Sequence, residues 1–326
     1  MDLLSPTERA VSVEGLVRWF GGRPAVDGLS IEVARGETFG LLGHNGAGKT
    51  TTIRLLNGVL SRDAGLVSVL GMDPAIDGEP VRARTGVLTE TPSLDERLTA
   101  RENLAFFGRL YGVTGRRLHD RVRTLLDLFG LKDRADDRVA QFSRGMKQRL
   151  ALARTLVHEP DMLFLDEPTA ALDPVAAREV HELIEAFRRE QRRTVILCTH
   201  NLVEAERLCD RVAIMRNGRA IAIGSPAELA RSIRAPVTVE IEVRPEERER
   251  AAGILREGGF GESALSRTGV TFRVEGREAI PEGVAALARA GLAIYRVANT
   301  EPDLETVYFA LYGAPSPAEG DGRETL

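Results

Sequence analysis

The sequence has only two cysteines, Cys198 and Cys209, so it lacks a disulfide framework and suits a reducing cytoplasm. No run approaches the ~18–20 apolar residues that cross a bilayer, and the short, acidic start MDLLSPTERA does not resemble a signal peptide. We therefore expect a soluble protein that reaches a membrane only through a partner.

Excess positive charge is also missing, since the formal net charge is −4. This argues against a general nucleic-acid binder, and we expect no nucleic-acid partner. Apolar residues make up 43% of the chain, which is enough to form buried cores. A length of 326 residues is typical of roughly two domains.

Apolar strands that alternate with helices along the chain predict a mainly parallel sheet covered by helices. A helix is expected from Lys49 to Asn57, and a hairpin around Asn217-Gly218. Residues 11–36 read as two short strands joined by a turn that includes Pro24. The predicted core strands are Thr38–Gly43, Met162–Asp166 and Thr194–Thr199.

The sequence divides into segments of different character. Residues 94–157 are expected to form a helical subdomain inside a first domain that spans 11–232. Within residues 237–313, segments of alternating apolar and polar residues are separated by helical segments, which predicts a small α+β domain. Residues 314–326 are expected to be disordered. The strands predicted in that second domain start at Val237, Val270 and Ile294, and its helices at Pro245, Pro281 and Leu304.

The segment GHNGAGKT matches G-x-x-x-x-G-K-[ST], follows an apolar strand and opens a helix. Glycines let backbone N–H groups surround a phosphate, and the helix N-terminus faces the same anion. The Lys49 ammonium group would interact with the β- and γ-phosphates of ATP, and the Thr50 hydroxyl would bind Mg²⁺. The residues predicted to surround the nucleotide are Gly43, His44, Asn45, Gly46, Ala47, Gly48, Lys49, Thr50 and Thr51.

Two acids, Asp166 and Glu167, follow a core strand. Alone they would read as an acidic loop, but the phosphate loop upstream favours a catalytic role. Asp166 is predicted to hold Mg²⁺, and Glu167 to polarise the attacking water as general base. ATP and Mg²⁺ are therefore the expected cofactors.

The segment QFSRGMKQR, residues 141–149, resembles the LSGGQ signature of ATP-binding-cassette (ABC) proteins. Ser143 should cap a helix that runs to about Val157, with Met146, Leu150 and Ala153 on its buried stripe. The resemblance implies that Ser143 and Gly145 contact ATP held by a second subunit.

Other positions fit the same family, and the resemblance covers about residues 11–232. Asp173, in the segment TAALD, resembles the D-loop that faces across the dimer. His200 resembles the switch histidine that contacts the γ-phosphate and takes part in catalysis with Lys49 and Glu167. Phe20 resembles the aromatic residue that stacks on adenine, with Trp19 as its rival.

Two departures from the family pattern stand out. Glu90 occupies the place of a usual glutamine, where a carboxylate can still approach Mg²⁺. A solvent-exposed loop acid is the alternative reading. In the signature, Arg144 replaces a glycine and Met146 a glutamine, while Ser143 and Gly145 keep the cap and the close backbone approach.

The resemblance implies an α/β fold: a P-loop cassette ATPase core with an antiparallel β subdomain and a helical subdomain, followed by a small α+β domain. It implies a dimer with an identical or similar subunit, and an integral membrane permease that holds the chain on the inner face of the cell membrane. The signature and the segment LDERLTARENL resemble the drug- and antibiotic-resistance exporter branch. The alternative is a soluble cassette ATPase of DNA repair or translation.

Overall fold

The computed structural model describes residues 8–91, 93–170, 172–191, 193–233, 237–274, 276–300 and 303–313. The chain divides into two compact units between Ser225 and Pro226. The helix Pro226–Ser232 packs within the second unit, so this division falls before residue 232. The tail 314–326 and the loop residue Ala171 lie outside the described residues.

The described strands of the first unit are β1 Arg9–Phe20, β2 Arg23–Ala34, β3 Thr38–Leu42, β4 Ala64–Val69, β5 Thr85–Leu88, β6 Met162–Asp166, β7 Thr194–Thr199, β8 Arg211–Arg216 and β9 Arg219–Gly224. Its described helices are α1 Lys49–Leu56, α2 Gly78–Arg84, α3 Ala100–Leu110, α4 Gly115–Leu128, α5 Arg144–Thr155, α6 Pro174–Gln191 and α7 Leu202–Leu208. Short 3-10 turns cover Lys132–Arg134 and Val139–Gln141.

Two sheets form this unit. Strands β2, β1 and β4 make an antiparallel sheet, and the second sheet has the order β5-β6-β7-β3-β8-β9. All neighbours in the second sheet are parallel except the hairpin β8–β9. Its turn holds Asn217 at φ 51° and Gly218 at φ 79°, as a two-residue hairpin turn requires. Pro24 lies inside β2 rather than in the first turn, which is Gly21-Gly22.

Register aligns the carboxyl ends of the parallel strands. Leu88 pairs with Leu165, Asp166 with Cys198, and Leu42 with Thr199. The loops that follow β5, β6, β7 and β3 therefore leave the sheet side by side. This edge is where ligands bind in open α/β sheets.

The signature helix α5 begins where the sequence predicts it. Ser143 Oγ accepts a hydrogen bond from the Met146 N–H at 3.2 Å. The predicted buried stripe is partly wrong, because Met146 is only half-buried and the last residues of α5 are buried almost without interruption. The second half of this helix lies against the parallel sheet and other helices, so burial there is not restricted to one stripe.

The second unit contains a four-stranded antiparallel sheet in the order β11-β12-β10-β13 within the described residues. Its elements are α8 Pro226–Ser232, β10 Val237–Glu242, α9 Arg248–Glu257, β11 Ser263–Leu265, β12 Gly269–Val274, α10 Ile280–Arg289, β13 Arg296–Thr300 and α11 Leu304–Gly313. Val239, Ile241 and Phe272 form its core with α9 and α10. The last strand begins two residues later than predicted from Ile294.

Both cysteines are buried, and burial raises the pKa of each thiol. They pack as small apolar side chains within the first unit. Among the residues that the structure describes, no helix is both long enough and apolar enough to cross a membrane.

Candidate nucleotide site

The phosphate loop connects β3 to α1, and glycine is required at its last turn. Gly48 adopts φ 104°, and a Cβ there would lie 2.3 Å from the backbone oxygen of Ala25. A Cβ on Gly43 would lie 2.6 Å from the backbone oxygen of Met215. Backbone packing thus excludes any side chain at both positions, which keeps the N–H groups of the loop accessible to an anion.

The turn of the β8–β9 hairpin supports the loop from behind. The Gly218 N–H donates to the backbone oxygen of Ala47 at 3.1 Å. The Asp27 N–H donates to the backbone oxygen of Gly218 at 2.9 Å, which also ties in strand β2. Two segments distant in sequence, the β8–β9 turn and strand β2, therefore support the phosphate loop.

Lys49 is buried within the loop, with 5% of its surface exposed. Its Nζ donates to the backbone oxygen of Gly43 at 2.6 Å and lies 3.4 Å from Glu167 Oε1. The ammonium group therefore already sits between the loop and the carboxylate that follows β6. A cation in this position neutralises phosphate charge at low solvent exposure, where electrostatic interactions are strongest.

Asp166 is 3% exposed, and its Oδ1 has no hydrogen-bond partner in the described part of the chain. Burial raises the pKa of this carboxyl, while a hydrogen bond from the Thr50 hydroxyl opposes the shift. Thr50, Asp166 and Glu90 line one cavity of about 390 Å³. A hydroxyl and an unsatisfied carboxylate oxygen are hard oxygen donors of the kind that Mg²⁺ prefers.

Protein side chains do not complete a metal cage here. Within the described ranges, no group of three His, Cys, Asp or Glu side chains is placed to hold a metal ion. The oxygen donors of Thr50 and Asp166 fit Mg²⁺, which usually keeps several waters and shares its coordination with substrate phosphates.

Glu167 has an unusual backbone conformation for a non-glycine residue, with φ 51°. Its N–H donates to the backbone oxygen of Cys198 at 2.8 Å. Its Oε2 lies 2.9 Å from His200 Nδ1, and the His200 side chain is 59% exposed. The strained turn directs a buried carboxylate towards both Lys49 and the exposed histidine, and such strain is common at functional sites.

The predicted residues fall into two groups. Glu167 contacts Lys49 and His200, and the Thr50 hydroxyl donates to Asp166. Glu90 lines a cavity with Thr50 and Asp166. The second group, Ser143, Asp173 and Phe20, makes its described contacts elsewhere.

Ser143 and Asp173 act as helix caps in the described structure. Asp173 Oδ1 accepts hydrogen bonds from the N–H groups of Val175 and Ala176, each at 3.0 Å, at the start of α6. Trp19 and Phe20 are both about half-exposed, and the Arg18 guanidinium lies 4.8 Å from the Phe20 ring centre. Both aromatics remain candidates for adenine stacking.

Sequence reasoning missed two sets of contacts beside the site. Gln148 Nε2 donates to the backbone oxygen of Pro168 at 2.6 Å, which links the signature helix to the loop after β6. A buried carboxylate, Glu204, contacts Thr169 and His181. Gln148 lies inside the signature segment, so a signal existed for it, but nothing in the local sequence of Glu204 marks it as buried.

Comparison with known proteins identifies the family. Residues 26–170 match the family model described as ABC transporter. The chain is 38% identical over 319 residues to the daunorubicin resistance ATP-binding protein DrrA3 of Streptomyces coeruleorubidus, covering 94% of this chain and 96% of that protein. This chain belongs to the ABC transporter family.

Further relatives of this ABC subunit support the same family assignment. It is 44% identical over 225 residues to the Nod factor export ATP-binding protein I of Paraburkholderia xenovorans, covering 69% of this chain and 74% of that protein. Among solved structures, an ATP-binding subunit of an ABC transporter matches with TM-score 0.62 and 32% identity, over 68% of this chain and 92% of that one. The cbiO1 protein of Clostridium perfringens matches with TM-score 0.63 and 30% identity, over 68% and 90% of the two chains.

These matches confirm the predicted fold and the predicted ATPase function. The ABC subunit is an ATP-binding, ATP-hydrolysing subunit of the exporter type, and a repair or translation role is not favoured. Such subunits work with membrane permease subunits and often dimerise.

Proposed function

We propose that this chain powers the export of a drug-like small molecule through a separate permease. The observation that carries the proposal is the extent of the likeness to DrrA3, which reaches across both compact units. The likeness to the Nod factor export protein covers only 69% of the chain. The drug-resistance relative is thus the better guide to the cargo.

The phosphate loop and the β6 acids are proposed to act on one Mg-ATP. Residues Gly43 to Thr51 bind the phosphates, and Lys49 stabilises charge on the γ-phosphate. Thr50 and Asp166, with Glu90 beside them, would hold Mg²⁺, which would neutralise phosphate charge when bound. Phe20 is the proposed contact for adenine.

Glu167 is the proposed general base, and His200 its partner at the γ-phosphate. The carboxylate is buried beside Lys49 and contacts His200, so one water held there could be oriented and deprotonated for in-line attack. The chemistry needs positioning and charge neutralisation rather than a covalent intermediate.

Closure of a dimer is proposed to couple hydrolysis to transport. Ser143 and Gly145 lie at the N-terminus of α5, where the Ser143 hydroxyl and the positive end of the helix dipole suit the γ-phosphate of ATP bound to a second copy. Asp173 lies on the exposed loop before α6 and would face that copy. The permease is proposed to contact residues 90–104 and to hold the chain on the inner face of the membrane.

Purification of the tagged chain from its own cells tests this proposal. We expect one integral membrane protein to co-purify with it in a fixed ratio. Inside-out vesicles that contain both proteins should accumulate daunorubicin when ATP is supplied, and should not when ADP replaces it. Co-purification with a ribosome or a DNA-repair complex, without any membrane protein, would contradict the exporter assignment.

Replacing Glu90 with alanine should lower kcat by about tenfold and raise KM for Mg-ATP, because a carboxylate beside the metal ligands would be lost. Glu90→Gln, which restores the usual residue of the family, should retain most of the activity. Steady-state phosphate release at varied Mg²⁺ concentration checks this. The matched control is Glu79→Ala, which removes an exposed carboxylate on α2 outside the cavity. Wild-type kinetics and transport in Glu90→Ala would show that Glu90 is only an exposed loop acid.

A further inference from the structure

A buried carboxylate lies behind the nucleotide site. Glu204, on α7, is 1% exposed. Its Oε1 accepts a hydrogen bond from Thr169 Oγ1 at 2.8 Å and lies 3.0 Å from His181 Nε2. Its Oε2 is buried with no hydrogen-bond partner in the portion of the chain that the structure describes. A carboxylate held in this way is costly to bury, so its retention needs an explanation.

Three segments of the site meet at this carboxylate. Thr169 lies two residues after Glu167, in the loop that follows β6. Glu204 lies four residues after His200, on the helix that Asn201 caps. His181 lies on α6, the helix that Asp173 caps. One side chain therefore connects the loop of the proposed base, the helix after the switch histidine and the helix after the proposed dimer-facing loop.

The contacts of Glu204 restrict the relative movement of the two segments that carry Glu167 and His200. The two residues are 2.9 Å apart at the edge of the sheet, where His200 is exposed. A second, partly buried hydrogen bond between Thr169 and Glu204 ties the same two segments together a few residues further on. A displacement of either segment would have to break this bond or move both segments together.

We infer that Glu204 is a positioning residue, which keeps Glu167 aligned with His200 and transmits the position of the Asp173 loop to that pair. The inference rests on the proposed function, since it assigns Glu167 and His200 to hydrolysis and Asp173 to the dimer contact. Glu204 does not touch the nucleotide in this scheme. Its role is to make the alignment of the base depend on the loop that a second subunit would contact.

Thr169→Val tests the inference most directly, because valine keeps the branched shape and removes the hydroxyl. We expect kcat at saturating Mg-ATP to fall by about tenfold to a hundredfold, with KM and the Kd of a fluorescent ATP analogue within about twofold of wild type. Thr169→Ser, which keeps the donor, should restore most of kcat. Glu204→Met, which removes the acceptor at similar side-chain length, should lower kcat in the same way, and Glu206→Met, at an exposed position on the same helix, is the matched control.

The double variant Thr169→Val/Glu204→Met tests whether the two changes act through the one hydrogen bond or cause two independent defects. If both changes act through the one hydrogen bond, the double variant should lose no more than the worse single variant. Additive losses would overturn the inference. So would wild-type kcat in Thr169→Val, or equal losses in Thr169→Ser and Thr169→Val, because the hydroxyl would then be irrelevant.

Failure of this inference is distinguishable from failure of the proposed function. If Glu167→Gln hydrolyses ATP normally, the assignment of the base fails whatever Thr169→Val does. If Glu167→Gln is inactive while Thr169→Val, Thr169→Ser and wild type share one kcat, the base stands and the positioning role of Glu204 fails.

Discussion

Glu167→Gln should bind ATP normally and hydrolyse it about 10²- to 10⁴-fold more slowly than wild type, the range that general-base catalysis contributes. Glutamine keeps the size of the side chain but cannot take a proton from water. Because hydrolysis reopens the proposed dimer, the variant should accumulate as a dimer when Mg-ATP is present. Phosphate release measures the rate, and size-exclusion chromatography with and without ATP measures the dimer.

The Glu167→Gln prediction has a matched control variant and two outcomes that would contradict it. Glu206→Gln removes an exposed carboxylate from α7 and should leave both rate and assembly unchanged. Normal hydrolysis by Glu167→Gln would show that another group activates the water, and His200, whose Nδ1 lies 2.9 Å from Glu167 Oε2, would be the next residue to replace. A dimer that forms equally without ATP would contradict the nucleotide-driven closure.

Lys49→Ala should reduce ATP hydrolysis by about 10²- to 10³-fold, the loss typical of removing one group that stabilises transition-state charge. Its ammonium is the cation within the loop, 2.6 Å from the Gly43 oxygen and 3.4 Å from Glu167. Unlike Glu167→Gln, this variant should also bind ATP more weakly, because the lysine is proposed to contact phosphate before and during the reaction. The Kd of a fluorescent ATP analogue and kcat should therefore both change.

A second lysine provides the comparison. Lys132 lies in the helical region, where its side chain is 69% exposed and pairs with Asp127. Lys132→Ala changes the net charge by the same amount and should leave the Kd and kcat at wild-type values. Equal effects in the two variants would mean that Lys49 acts only through net charge, which would contradict its placement at the phosphates.

Much of the nucleotide site could be predicted because its parts follow apolar runs. The strands ending near Leu42, Asp166 and Thr199 are fully buried, so composition alone separates them from surface strands. Parallel pairing then places their carboxyl ends at one edge, which makes residues far apart in sequence neighbours. The direct contacts of Lys49 with Glu167, and of Glu167 with His200, follow from that register.

Other features depend on tertiary packing, which the local sequence pattern does not reveal. Strand β13 starts at Arg296 rather than at Ile294, because it lies at the edge of its sheet and Val297 remains 42% exposed. The alternation of buried and exposed residues along β13 is therefore weak. Helix α6 was not predicted for a different reason: its signal is local, since it carries an N-terminal aspartate cap and apolar residues such as Val180 and Ile184 four apart.

The hydrogen bond from Gly218 to the phosphate loop has a consequence for the energetics of ligand capture. Because the hairpin turn and β2 fix the loop from behind, its amides need little reordering when a phosphate arrives. The entropy normally lost in immobilising a flexible glycine-rich loop is already spent during folding, and affinity is higher by that amount. Association should accordingly proceed in one kinetic step, at a rate set by diffusion and charge rather than by loop closure.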